Sequence, residues 1–144
     1  MESLENMSLP AAPKGENSNI VLVPDLNNFN EIDYDSRNGL ISDRLRALIE
    51  SYIPGHNFET VVYLSSDRAE QAVFWKFNPP LYRDYRAAYR NEGIVSHISF
   101  SNDHAPITFT AKSPKGVGSI VVRMAVAESA LRRGILGLKF TAVT

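Results

Sequence analysis

Apolar residues at Leu45, Leu48, Ile49 and Tyr52 fall at i, i+3, i+4 and i+7 and form one stripe of an amphipathic helix. Ser42 stands where a side-chain oxygen caps the first free N–H groups, Asp43 complements the positive end of the dipole, and Pro54-Gly55 ends the run. The expected helix is therefore Ser42–Ile53. Strand patterns flank it. Ile20–Pro24 (IVLVP) is a short β-branched run closed by proline, and it reads as a buried strand. Phe58–Ser65 and Gln71–Phe77 read as two strands joined by the polar turn Ser66–Glu70, with Trp75 expected in the core.

The second half reads less uniquely. Leu81, Tyr85, Ala88 and Tyr89 again follow helical spacing after Asn78-Pro79-Pro80 and before Gly93, which predicts a helix over Leu81–Asn91. Ile94–Phe100 alternates, and Ile107–Ala111 resumes after the turn Ser101–Pro106, so these two runs are expected to pair as a hairpin. Ser119–Arg133 fits two templates. Ile120-Val121-Val122 suits a strand, while Ala127–Arg133 and a terminal Gly134 suit a helix, and the helix is the preferred reading. Ile135–Val143 would be a last strand. Strands and helices mix without regular βαβ alternation. The expected class is α+β: a mainly antiparallel sheet of five to six strands with two to three helices.

Residues 1–19 are rich in Ser, Asn, Pro, Ala and Glu without a period, and read as a flexible, dispensable tail ahead of a single domain over 20–144. An apolar fraction of 44% in 144 residues suffices for one core. The chain has no cysteine, which excludes disulfides, thiolate catalysis and Cys-based zinc sites. Neither a secretory leader nor a run of about 20 apolar residues is present, so the expectation is a soluble intracellular protein, cytoplasmic or nuclear, not secreted and without a membrane span.

Charge changes this picture most. Residues 1–71 hold 5 Lys and Arg against 12 Asp and Glu, while residues 72–144 hold 10 against 4. A net charge of −1 thus conceals a strongly dipolar sequence, which points to a polyanion, an anionic surface or head-to-tail self-association. On the expected helix 81–91, Arg83, Arg86 and Arg90 share one sector, bordered by Tyr82 and Tyr89. Guanidinium groups beside phenol rings suit phosphates and unpaired bases. Lys112, Lys115, Arg123, Arg132 and Arg133 extend the basic set as phosphate contacts. Lys112–Ser119 also reads as a basic, glycine-containing loop before a helix, where backbone N–H groups attract phosphate, although it lacks the Gly-Lys-Ser/Thr ending of a phosphate-binding loop.

The acidic stretch Asp25, Glu31, Asp33 and Asp35 fails the calcium-loop template, since Arg37 and Arg44 stand at ligand positions, and it reads as a solvated loop. His56, His97 and His104 match no ligand spacing, and no nucleophile motif is present. No catalytic residue, metal or cofactor is assigned. The leading expectation is a small non-enzymatic protein that binds RNA or single-stranded DNA with weak sequence preference, of viral accessory or structural type. Its alternatives are a self-assembling matrix, capsid or scaffold protein that joins acidic to basic halves, and a metal-dependent phosphoesterase built on Asp25.

Overall fold

The computed structural model describes residues 9–10, 19–67, 69–91, 93–101, 103–135 and 138–143. Among them the elements run β1 (Ile20–Val23), β2 (Tyr34–Asp35), β3 (Leu40–Ser42), α1 (Asp43–Tyr52), β4 (Glu59–Ser65), β5 (Gln71–Lys76), β6 (Tyr85–Tyr89), β7 (Val95–Phe100), β8 (Thr108–Lys112), β9 (Gly118–Val122) and α2 (Met124–Arg132). The class is α+β, as the patterning predicts. The strands do not form one sheet, however. A five-stranded mixed sheet in the order β1-β4-β5-β3-β2 accompanies two two-stranded sheets, β6-β7 and β8-β9. Two compact units result where the sequence suggests one. The first takes the described residues of Met1–Phe77 and Ala130–Leu138, and the second takes those of Asn78–Ser129 and Lys139–Thr144.

In the first unit β1 runs parallel to β4, and every other pairing is antiparallel. Alternation sends Val61 and Tyr63 of β4, Phe74 of β5 and Leu40 of β3 into one core with Val23 and Ile32. Phe29 packs edge-on against Tyr63 and Phe74 at 5.3 and 6.3 Å. Leu9 joins this core at 3% exposure. The tail expectation therefore fails at Leu9 and Pro10; the rest of residues 1–18 lies outside the described residues. β1 is a strand, but an edge strand with Ile20 and Leu22 exposed, so the expected buried strand is only half right.

The helix α1 matches its prediction closely. Ser42 accepts the Leu45 N–H, and Leu45, Leu48 and Ile49 are buried as the helix lies along β3 and β5. Trp75 is only half-buried: its indole N–H donates to Asp43 at 3.0 Å, and the Arg46 guanidinium sits 4.7 Å from its ring centre. The acidic stretch is not simply solvated either. Asp33 and Asp35 are each 2% exposed. Asp33 accepts from Ser42 Oγ and from two Arg44 nitrogens, while Arg44 also donates to the Gly134 carbonyl past the end of α2. Burying carboxylates is tolerated here because each oxygen is matched by a charged or polar donor.

The second unit holds the largest corrections. Residues 81–91 contain the strand β6 and no helix, and β6 pairs with β7. β8 pairs with β9, so the expected hairpin of 94–100 with 107–111 is replaced by two others. Ser119–Arg133 divides: Gly118–Val122 is strand, and the helix begins only at Met124. Gly134 does adopt the left-handed conformation expected of a helix terminus, at φ 64°. The predicted strand over 135–143 is absent from its described residues, although the Val143 carbonyl accepts the Ile98 N–H. Phe109 centres this core, with Tyr82, Tyr85 and Phe100 at 5.1, 5.9 and 6.1 Å.

Candidate nucleic-acid interface

Because β6 is a strand, its residues alternate between two faces. Tyr85, Ala87 and Tyr89 turn toward the Phe109 core, and Arg86 and Ala88 turn to solvent opposite Ser99 and His97. The three arginines consequently share no single sector. Arg86 stays on the solvent face, and Arg90 is exposed at the turn after the strand, where its N–H and C=O bond Ile94 and Gly93. Arg83, ahead of β6, falls on the tyrosine side. There it lines an open groove of about 510 Å³ with Leu81, Tyr85, Ala87, Tyr89, Lys112, Ser113 and Pro114.

The groove combines two cations with two phenols, and its described lining contains no carboxylate. Tyr89 donates its hydroxyl proton to the Lys112 carbonyl at 3.2 Å. Burial, reinforced by the hydrogen bond with Tyr89, pushes the Tyr85 phenol up to about 12, so it stays neutral across the physiological range. Tyr82 stacks on Tyr85 at 6.2 Å and against Phe109, which places it in the supporting layer behind the groove and not among the groove's lining residues. Tyr85, read from the sequence as part of an apolar stripe, is the aromatic lining residue that was not among the expected site residues. The signal for it is the i, i+2, i+4 pattern Tyr85-Ala87-Tyr89, which a strand template would have registered.

Lys112–Ser119 is not a loop before a helix. It is the β8–β9 turn, closed by Ser113 N–H to Val117 O at 2.8 Å and Gly116 N–H to Ser113 O at 2.9 Å, with Ser113 Oγ accepting the Val117 N–H. The N–H groups of Ser113, Gly116 and Val117 are bonded within the turn, and the strand β9 follows it, so no helix begins there. Lys115 reaches across to the Asn91 carbonyl at 2.9 Å. Gly93 sits in that neighbouring turn at φ 84°, where a Cβ would lie 2.9 Å from Val117 Cγ2. Arg123 donates to the Ala105 carbonyl at 2.7 Å, so part of its donor capacity holds a loop.

Arg132 and Arg133 are exposed but belong to the first unit. Of the ten residues expected to bind nucleic acid, Arg83, Tyr89 and Lys112 are gathered in the groove, and Tyr82, Arg86, Arg90, Lys115, Arg123, Arg132 and Arg133 are not part of its lining. Asp25, the anchor of the phosphoesterase alternative, is exposed and accepts the Asn27 N–H. Among the described residues no three His, Asp or Glu side chains come together to hold a metal, and no helix is long and apolar enough to cross a membrane. His56 packs against Phe58 and Phe77 at 4.7 and 6.1 Å as an aromatic, and His97 and His104 are exposed.

Comparison with protein-family models, with curated proteins and with solved structures returns no match for this chain.

Proposed function

We propose that the second unit binds single-stranded nucleic acid, RNA or single-stranded DNA, along the groove between Arg83 and Lys112. The observation that carries this reading is the lining itself: two exposed cations flank Tyr85 and Tyr89 in an open groove of about 510 Å³. Phosphates require cations without competing carboxylates, and unpaired bases require a flat, partly apolar wall. Unit charge agrees with it. Residues 78–129 and 139–144 hold 7 Lys and Arg against 4 Asp and Glu, whereas the first unit holds 8 against 12. Contacts of this kind position a strand and read bases weakly, so little sequence preference is expected.

The test is the salt dependence of binding to a single-stranded homopolymer. Each phosphate neutralised on a single strand adds roughly 0.7 to the slope of log K against log salt, so Arg83→Ala with Lys112→Ala should lower that slope by about 1.4. Arg86→Ala, on the opposite face of β6, should leave it unchanged. A folded double variant with an unaltered slope overturns the proposal, as does an Arg86→Ala loss of equal size.

Self-assembly keeps one specific support, though not the acidic-to-basic contact expected from charge. β1 is an uncharged edge strand with Ile20 and Leu22 at 57% and 59% exposure, and an open apolar edge is a template for pairing with another strand. Leu22→Lys should abolish any association of this origin in sedimentation.

A further inference from the structure

Leu9-Pro10, which lies outside any strand or helix, meets side-chain partners of the first unit. Leu9 is buried at 3% exposure among Val23, Ile32, Leu40, Val61, Tyr63 and Phe74. Its N–H donates to Asp35 Oδ2 at 2.9 Å, and its carbonyl accepts from Asn38 Nδ2 at 2.8 Å. The Pro10 carbonyl accepts from the Tyr63 hydroxyl at 2.7 Å. Proline has no N–H, so a Leu-Pro dipeptide offers three main-chain polar groups, and each of the three meets its own side-chain partner.

Asp35 and Asn38 are also tied to each other by bonds that do not involve that segment. Asp35 Oδ1 accepts the N–H groups of Arg37 and Asn38, and Asp35 Oδ2 accepts a second proton of Asn38 Nδ2 at 2.7 Å. The carboxylate and the amide are thereby fixed by the 35–38 turn. Burial and the nearby Asp35 charge push the Tyr63 phenol up to about 12, which keeps it a donor. Leu-Pro occurs once in the chain, at 9–10, and its proline leaves the segment one main-chain N–H fewer to satisfy.

We propose that Asp35, Asn38 and Tyr63, with the apolar pocket between them, form a peptide-binding site for an uncharged Leu-Pro segment. The chain's own Leu9-Pro10 is the occupant that fills it in this structure. Side-chain recognition of main-chain groups, with one aliphatic anchor in a pocket, is how extended peptides are held on preformed surfaces. The site is separate from the groove of the second unit, and neither reading rests on the other.

The experiment uses the full-length Leu9→Ser chain and the peptide Ser-Leu-Pro-Ala-Ala, blocked at both ends, followed by calorimetry and thermal unfolding. The expected result is saturable binding that raises the unfolding midpoint. Replacing the peptide leucine by alanine, or adding Asp35→Asn to the chain, should weaken it by at least about tenfold. The wild-type chain should bind more weakly, because its own segment competes. A folded Leu9→Ser chain that binds the leucine and alanine peptides equally, or neither, overturns the proposal. Should Leu9→Ser fail to fold, Tyr63→Phe in the otherwise native chain decides by amide hydrogen exchange. A docked segment predicts faster exchange at Leu9 alone, whereas equal acceleration at Leu9 and at Val61 and Phe74 makes the segment an integral part of the core and overturns the site.

Discussion

Two stretches of this chain both carry apolar residues at helical spacing and fold differently. Leu45, Leu48, Ile49 and Tyr52 become the buried stripe of α1, while Leu81, Tyr85, Ala88 and Tyr89 end up in or beside the strand β6. Their boundaries separate them. The first stretch has Ser42 accepting the Leu45 N–H at 3.2 Å and an acid in the first turn. The second follows two prolines and has no such cap; its tyrosines favour strands, and a ready partner strand begins at Val95. Tyr85, Ala87 and Tyr89 also fit a period of two, so the window was degenerate. Where both periods fit, the cap and the neighbouring strand decide.

The sharpest way to probe the two regions is to empty each core. Phe109→Ala, at the centre of the aromatic cluster behind β6, should cost about 3–5 kcal/mol, and Leu48→Ala beneath α1 about 2–5 kcal/mol, read from urea midpoints. If Phe109→Ala costs less than about 1 kcal/mol, β6 is not anchored as described. Gly93→Ala comes next. A left-handed backbone costs a non-glycine residue about 1–3 kcal/mol, and the crowding against Val117 adds to it, so the second unit should lose at least that much. A helix over 81–91 would predict a smaller loss.

Alkaline pH compares the units through one tyrosine each. Tyr63 and Tyr85 both have phenols raised to about 12, by burial first. The folded state therefore prefers the neutral phenol more than the unfolded chain does. Their contribution to stability is fully present below pH 10 and is lost as pH rises from about 10 through about 12. Tyr63→Phe and Tyr85→Phe should each flatten that decline, as measured by unfolding across the range. An unchanged pH profile in either variant removes the corresponding phenol from its buried position.

The smallest effect discriminates best between the two backbones. Ala47 and Ala88 are both exposed, one in α1 and one in β6. Ala47→Val should destabilise by up to about 0.7 kcal/mol because a β-branched side chain loses rotamers in a helix. Ala88→Val should instead stabilise, within the ~1 kcal/mol span of strand preferences. Equal destabilisation at both positions would return 81–91 to the helix that its spacing first suggests.

The sequence by itself determined the elements whose signals agree. It placed α1 to within a residue, found the β4–β5 hairpin and its turn, put the cap at Gly134, and assigned the α+β class. In each case cap, breaker and period point the same way. It also located the basic half in which the groove lies, because charge is additive along a chain. Tertiary structure alone decided the rest. Which strands pair depends on contacts distant in sequence, so β6–β7 and β8–β9 displaced the hairpin that proximity suggested. The faces of β6 followed from that pairing, separating Arg83 from Arg86 and bringing Arg83 beside Tyr85, Tyr89 and Lys112. Leu9 and Asp35 lie 26 positions apart, in segments whose composition reads as tail and solvated loop. Composition describes the average environment that a segment prefers, but burial of a single leucine or carboxylate is set by the partners that folding brings to it.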